Sequence, residues 1–191
     1  MKGETMDSRL SWFFVPVKVH AIAEDEKTVG EIKQIPYVVI GEDKDGEKRE
    51  IGMAELFKLD MKGHNSYLQY METLTNEDGE FGDIISTLDS LSTARYFPEE
   101  TIIVLNQIKI NLILRNSGIG TVLMTNIINQ CRNDNIKRIV LHAHPILSFR
   151  EMNAKSDDEI ELDKNRLITY YSKFGFTSIN KAYANYMELI L

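Results

Sequence analysis

Between residues 102 and 133 an apolar, β-branched-rich run passes through a short turn into an amphipathic pattern, and the turn reads Arg115-Asn116-Ser117-Gly118-Ile119-Gly120. The run from Ile102 to Leu114 alternates across its middle, with Asn106, Ile108, Ile110 and Leu112 on one face and Gln107, Lys109 and Asn111 on the other, which predicts a long strand. After the turn, Ile119, Val122, Leu123, Ile127, Ile128 and Cys131 recur at helical spacing, while Asn126, Asn129, Gln130, Arg132 and Asn133 fall elsewhere on the surface. A strand, two glycines and a helix in that order form an anion cradle. Glycine lets the backbone approach a ligand closely, and the first N–H groups of the helix have no partner within it.

The chain has 191 residues and 43% hydrophobic content, enough for one good core, so a single domain over residues 1–191 is expected. Its formal net charge of −7 argues against non-specific binding to nucleic acid. The charge is split unevenly. Residues 1–100 carry 11 basic and 21 acidic side chains, a balance of −10, and residues 101–191 carry 11 and 8, a balance of +3. The half with the cradle is the positive one. A single cysteine, Cys131, excludes an internal disulfide, and its helical position reads as a buried thiol. The apolar segment Leu10 to Val17 with Ala21 and Ala23 behind it can mimic a cleavage site, yet Lys2 and Arg9 are balanced by Glu4 and Asp7, unlike a signal peptide. No apolar run approaches the roughly 20 residues of a membrane helix. The expected compartment is the cytoplasm, with no membrane partner.

The amino-terminal half reads as strands around a variable middle. Leu10–Ala23 is strand-like and interrupted by Pro16. Ile35–Gly41 and Glu50–Met61 form a hairpin whose turn is the charged run Glu42 to Lys48. Residues 62–98, with scattered aromatics around an Asn76-Glu77-Asp78-Gly79 turn, read as two short helices, a helical insertion before the cradle strand. Beyond the cradle come a strand at Arg138–Ala143, a polar connection over 148–162, a helix at Asp163–Phe174 and a strand at Tyr183–Leu191. Strand, helix, strand, helix, strand implies an α/β layer architecture.

The Arg-x-x-Gly-x-Gly turn after a long strand, followed by Tyr170-Tyr171-Ser172-Lys173-Phe174-Gly175-Phe176 and a closing Tyr186-Met187-Glu188-Leu189, resembles the GCN5-related N-acetyltransferase (GNAT) superfamily over roughly residues 100–191. Two other readings of the glycines fail on single residues. Leu123 stands where a dinucleotide fingerprint needs its third glycine, and the Gly-Lys-Ser/Thr ending of a phosphate loop is absent. The resemblance implies an α/β (α+β) fold, with a mixed, mostly antiparallel central sheet whose middle strands splay and are flanked by helices. It also implies acetyl-CoA as co-substrate and transfer of the acetyl group to an amine directly within a ternary complex. The pyrophosphate of coenzyme A would lie against Arg115, Asn116, Ser117, Gly118, Ile119, Gly120 and Thr121, and backbone groups near Ile108, Ile110 and Leu112 would pair with pantetheine and the thioester carbonyl.

Acetyl transfer from a thioester to an amine needs a proton removed from the amine and one given to the departing thiolate. Tyr171, four residues before Gly175, occupies the family's tyrosine position and is the expected general acid; a core role is its alternative, because Leu167, Tyr171 and Phe174 share a helical face. Many members place a basic glutamate on the strand before the cradle, at positions that fall here on Val104 or Asn106, and no carboxylate stands there. His142 is the candidate base in its place, with His144 two residues on, acting through water. No third ligand is spaced beside them, so no metal is expected. The acceptor is a small-molecule or peptide amine, cationic if the acidic first hundred residues build its pocket. A homodimer stays open, and so does a second class of function, a non-catalytic acyl-CoA-binding or interaction protein on the same fold.

Overall fold

The computed structural model describes residues 18–24, 27–29, 32–60, 101–146, 154–181 and 183–191. One sheet dominates them. Its strands are β1 (Lys18–Ala23), β2 (Lys27–Val29), β3 (Ile32–Glu42), β4 (Lys48–Asp60), β5 (Thr101–Ile110), β6 (Arg138–His142), β7 (Thr177–Asn180) and β8 (Tyr183–Ile190). The spatial order is β1-β3-β4-β5-β6-β8-β7, with β2 also paired to β3. Every neighbouring pair is antiparallel except β5 and β6. A parallel pair needs a crossover, and helix α1 (Ile119–Asn133) supplies it. Helix α2 (Asp157–Ser172) connects β6 to the β7–β8 hairpin.

The β3–β4 hairpin closes through the charged turn read from the sequence, where the Asp43 carboxylate accepts the N–H groups of Asp45 and Glu47, both at 2.9 Å. Ala54, Leu56, Ile103, Leu105, Ile139 and Leu141 point to the sheet face covered by Leu123, Met124, Ile127 and Cys131 of α1 and by Tyr171 of α2. Phe57, Leu59, Ile102, Val104 and Val140 alternate with them and are buried on the opposite face.

Three expectations change. The strand expected to reach Leu114 ends at Ile110, and Leu112–Leu114 forms a 3-10 turn in which Leu112 is exposed. Leu112 therefore cannot line a strand edge. Its regular alternation also fails, because β5 has an extra residue: Gln107 pairs with Glu55 and Leu105 with Leu56, leaving Asn106 in a β-bulge. Leu105 and Ile108 consequently both pack toward the α1-covered core. The second helix begins at Asp157, six residues before the predicted start. Ser156 and Glu159 form a reciprocal capping box, and Asp157, Asp158 and Glu159 sit where the helix dipole favours negative charge. The acidic segment read as a connection is the first turn of a helix. Leu10–Val17 and the helical insertion over 62–98 lie outside the described residues.

Candidate active site

Strand β5 pairs with β6 only from Ile102↔Arg138 to Leu105↔Leu141, although β5 runs on to Ile110. Past Leu105 the two parallel strands part. The Asn111 N–H bonds the Ile51 carbonyl of β4 at 2.9 Å. Backbone groups alternate in direction along an antiparallel edge, so those of Ile110 and Ile108 point the other way, into the gap. The Ile110 carbonyl there receives the Arg115 guanidinium at 3.4 Å. A cleft of about 1400 Å³ opens at this gap, bounded by Asn106 to Asn111 on one side, by His142 and His144 on the other, and by Tyr170 and Tyr171 of α2. That volume exceeds the roughly 300–1,000 Å³ of an ordinary small-molecule pocket and suits a long ligand.

The cleft runs to the amino terminus of α1. Gly118 is its N-cap at φ 86°, Asn116 has φ 64°, and the first helical hydrogen bond runs from the Val122 N–H to the Gly118 carbonyl at 3.1 Å. The N–H groups of Ile119, Gly120 and Thr121 precede that bond, and none has a partner among the described residues. A Cβ on Gly118 would meet nothing within 4 Å, so its left-handed backbone, not crowding, asks for glycine. Gly120 is different: a Cβ there would lie 3.0 Å from the Tyr170 hydroxyl. Ser117 turns inward and bonds the Leu114 carbonyl, which braces the loop. Gly118, Gly120, Arg115, Asn116 and Thr121 all border the cleft; Ile119 is buried in the core below it.

The two tyrosines differ in setting. Tyr171 is 9% exposed and packs edge-on against Phe176 and Tyr170, with ring centroids 5.9 and 5.1 Å away. Burial first, then the neighbouring Tyr170, pushes its hydroxyl well above the ordinary phenol range. It stays protonated at any working pH. Tyr170 is pushed up to about 12 by burial; the Thr121 side chain approaches its hydroxyl and partly offsets this, but no contact to that hydroxyl among the described residues has hydrogen-bond geometry.

His142 stands at the end of β6, stacked face to face on Tyr186 with centroids 4.3 Å apart, and its Nε2 lies 2.6 Å from Asn185 Nδ2. With the amide as donor, the Nε2 lone pair is engaged. His144 lies beyond the strand and turns its Nδ1 to the Pro145 carbonyl at 3.0 Å. No group of three metal-ligating side chains occurs among the described residues. Sequence reasoning passed over Glu55. It is the one charged residue between Ile51 and Phe57 in a mostly buried stretch of β4, and that isolation was legible. Asn106 and Gln107, both bordering the cleft, donate to it.

No family model matches the chain, and no curated protein matches it. Solved structures do. An agmatine N-acetyltransferase in its ligand-free form is 14% identical with a TM-score of 0.49, over 82% of this chain and 76% of the other. The Drosophila melanogaster polyamine N-acetyltransferase is 14% identical with a TM-score of 0.48, over 82% and 74%. AtaTR bound with acetyl-CoA is 12% identical with a TM-score of 0.43, over 82% and 70%. The mostly antiparallel sheet with its parted parallel pair and flanking helices has the architecture expected from the sequence motifs.

Proposed function

We propose that the protein is an acetyl-CoA-dependent N-acetyltransferase that moves the acetyl group to an amine by direct transfer in a ternary complex. The observation that carries this reading is the continuity of the cleft: the opened β5–β6 gap leads to the three N–H groups of α1 that have no partner among the described residues. The pyrophosphate of coenzyme A suits that helix end, where aligned N–H groups and the dipole favour negative charge. Pantetheine, which offers amide N–H and C=O groups, suits the strand edge at Ile108 and Ile110. Leu112 no longer belongs to that edge. A backbone N–H directed at the thioester carbonyl would stabilise the oxyanion of the tetrahedral intermediate.

Tyr171 acts as general acid in this reading. A hydroxyl that does not ionise near neutral pH can give its proton to the departing thiolate and be reprotonated within the same cycle. The −10 balance of residues 1–100 supports a cationic amine as acceptor, because acidic walls concentrate a substrate of opposite charge. In that case kcat/KM falls as salt is raised and falls again for a neutral analogue of the preferred amine. A preferred acceptor that is neutral or acidic would contradict this part.

One observation favours a second reading, a non-catalytic acyl-CoA-binding protein: Val104 and Asn106 of β5 supply no carboxylate to the cleft. The experiment that separates the two is release of coenzyme A thiol from acetyl-CoA with and without a panel of amines. Amine-dependent release is expected. Binding of acetyl-CoA with no release from any amine would favour the second reading.

A further inference from the structure

We propose that Glu55 of β4 supplies the carboxylate that β5 lacks and takes the proton from the acceptor amine; this rests on the acetyltransferase reading above. Asn106 is the first residue of β5 past the last pair with β6, Leu105↔Leu141, and the bulge leaves it without a partner in β4. Its side chain instead donates to Glu55 Oε2 at 2.6 Å, and Gln107 donates to the same oxygen at 3.0 Å. Gln34 of β3 donates to Oε1. These contacts hold a carboxylate one side chain away from the point where the sheet opens.

The chemistry of the three contacts defines the role. All are neutral amide donors, and no cation pairs with Glu55 among the described residues. A carboxylate offers about four acceptor positions. Three are taken by the described residues, and the fourth, on Oε1, has no partner among them and can receive an incoming N–H. Glu55 stands behind Asn106 and Gln107, which border the cleft, and the two carboxylates that border it directly are placed differently. Asp163 is paired with both Lys155 and Arg166. Glu50 is exposed near the far end of β4, five residues from Glu55. Neighbouring Ala54 and Leu56 point to the helix-covered core, so Glu55 projects from the opposite face. The thioester, held by α1, and the amine, held by Glu55, then meet at the gap from its two sides.

The ammonium ion-pairs with Glu55 and gives it one proton, and the free amine attacks the thioester carbon, forming C–N. The tetrahedral intermediate collapses with loss of the C–S bond as the thiolate takes the Tyr171 proton. The second nitrogen proton restores Tyr171, and Glu55 releases its proton to solvent.

The test is Glu55→Gln, assayed for amine-dependent thiol release across pH, with acetyl-CoA affinity measured on the same preparation. The expected result is a loss of about 10²–10⁴-fold in kcat/KM at neutral pH. Acetyl-CoA affinity should be unchanged, and activity should recover about tenfold per pH unit as the free-amine fraction grows toward the amine pKa of about 10.4 for a lysine-like acceptor. A folded Glu55→Gln protein with the parent rate and pH profile overturns the proposal alone. If Glu55→Gln does not fold, Glu55→Asp decides: it keeps the charge but withdraws it by one methylene, so a loss of about tenfold or more in kcat with normal acetyl-CoA affinity is expected, and parent turnover overturns the proposal. A parent protein that binds acetyl-CoA but acetylates no amine overturns the acetyltransferase reading, and this inference with it.

Discussion

Tyr170 and Tyr171 are adjacent on α2, yet one hydroxyl is stranded against Gly120 and the other belongs to a ring buried among aromatics. Changing either to Phe keeps the ring and removes only the oxygen. Tyr171→Phe is expected to lower turnover by about ten- to a thousand-fold, the lower part of that range reflecting protonation of the thiolate by water, with acetyl-CoA affinity unchanged. A change confined to thermal stability would return Tyr171 to a packing role. Tyr170→Phe should behave in the opposite way. A buried hydroxyl without a partner carries a desolvation penalty of about 1–3 kcal/mol. Its removal should leave turnover near normal and raise the melting temperature of the ligand-free protein. A lower melting temperature would show that Tyr170 has a partner that the described residues do not supply.

The turn before α1 makes one helix end available, and the capping box makes the other helix possible. Gly118 has a left-handed backbone that costs about 1–3 kcal/mol for a side-chain-bearing residue. Gly118→Glu adds a carboxylate in front of N–H groups meant for an anion, so acetyl-CoA binding should be abolished in a calorimetric titration; unchanged affinity would contradict the cradle. Acetyl-CoA at ~100 times its dissociation constant should stabilise the parent by roughly 2.7 kcal/mol, and this variant not at all. In α2, Ser156→Ala removes the cap and should cost about 1 kcal/mol by denaturant unfolding. The turn before α1 was legible because its two glycines separate a β-branched alternating run from a helical pattern. The start of α2 was also written, as Ser156-x-x-Glu159, but its acidic first turn looks like a loop unless the dipole is considered. The bulge at Asn106 was not legible, because it depends on the register between β4 and β5, which alternation within one strand cannot reveal. Glu55 was visible as the lone charge between Ile51 and Phe57, but its amide partners, 51 and 52 residues away in the chain, were not.

At the scale of the whole molecule, the helix-covered core holds groups that tolerate no charge. Burial first, then Asp134, raises the Cys131 thiol to about 12, with Lys58 pulling the other way. Burial, then Cys131 and Asp134, raises Tyr37 to about 12. Both are neutral in the folded chain and ionise more easily when it unfolds. Their contribution to stability is therefore complete below the ordinary thiol and phenol values, and it is lost as pH rises from about 9 to about 12. Unfolding midpoints measured across that range should fall steadily; a flat profile to pH 12 would contradict the burial of both groups. The protected thiol also means that Cys131 should not react with thiol reagents in the native protein, so such reagents report coenzyme A alone. The most direct test of the proposed activity is to incubate the protein with acetyl-CoA and each of a panel of amines, then quantify free coenzyme A and acetylated amine together by mass spectrometry. Direct transfer predicts the two products in equal amounts, formed catalytically and only when an amine is present. Acetyl-CoA binding with neither product above the protein-free rate, for every amine tried, would contradict it.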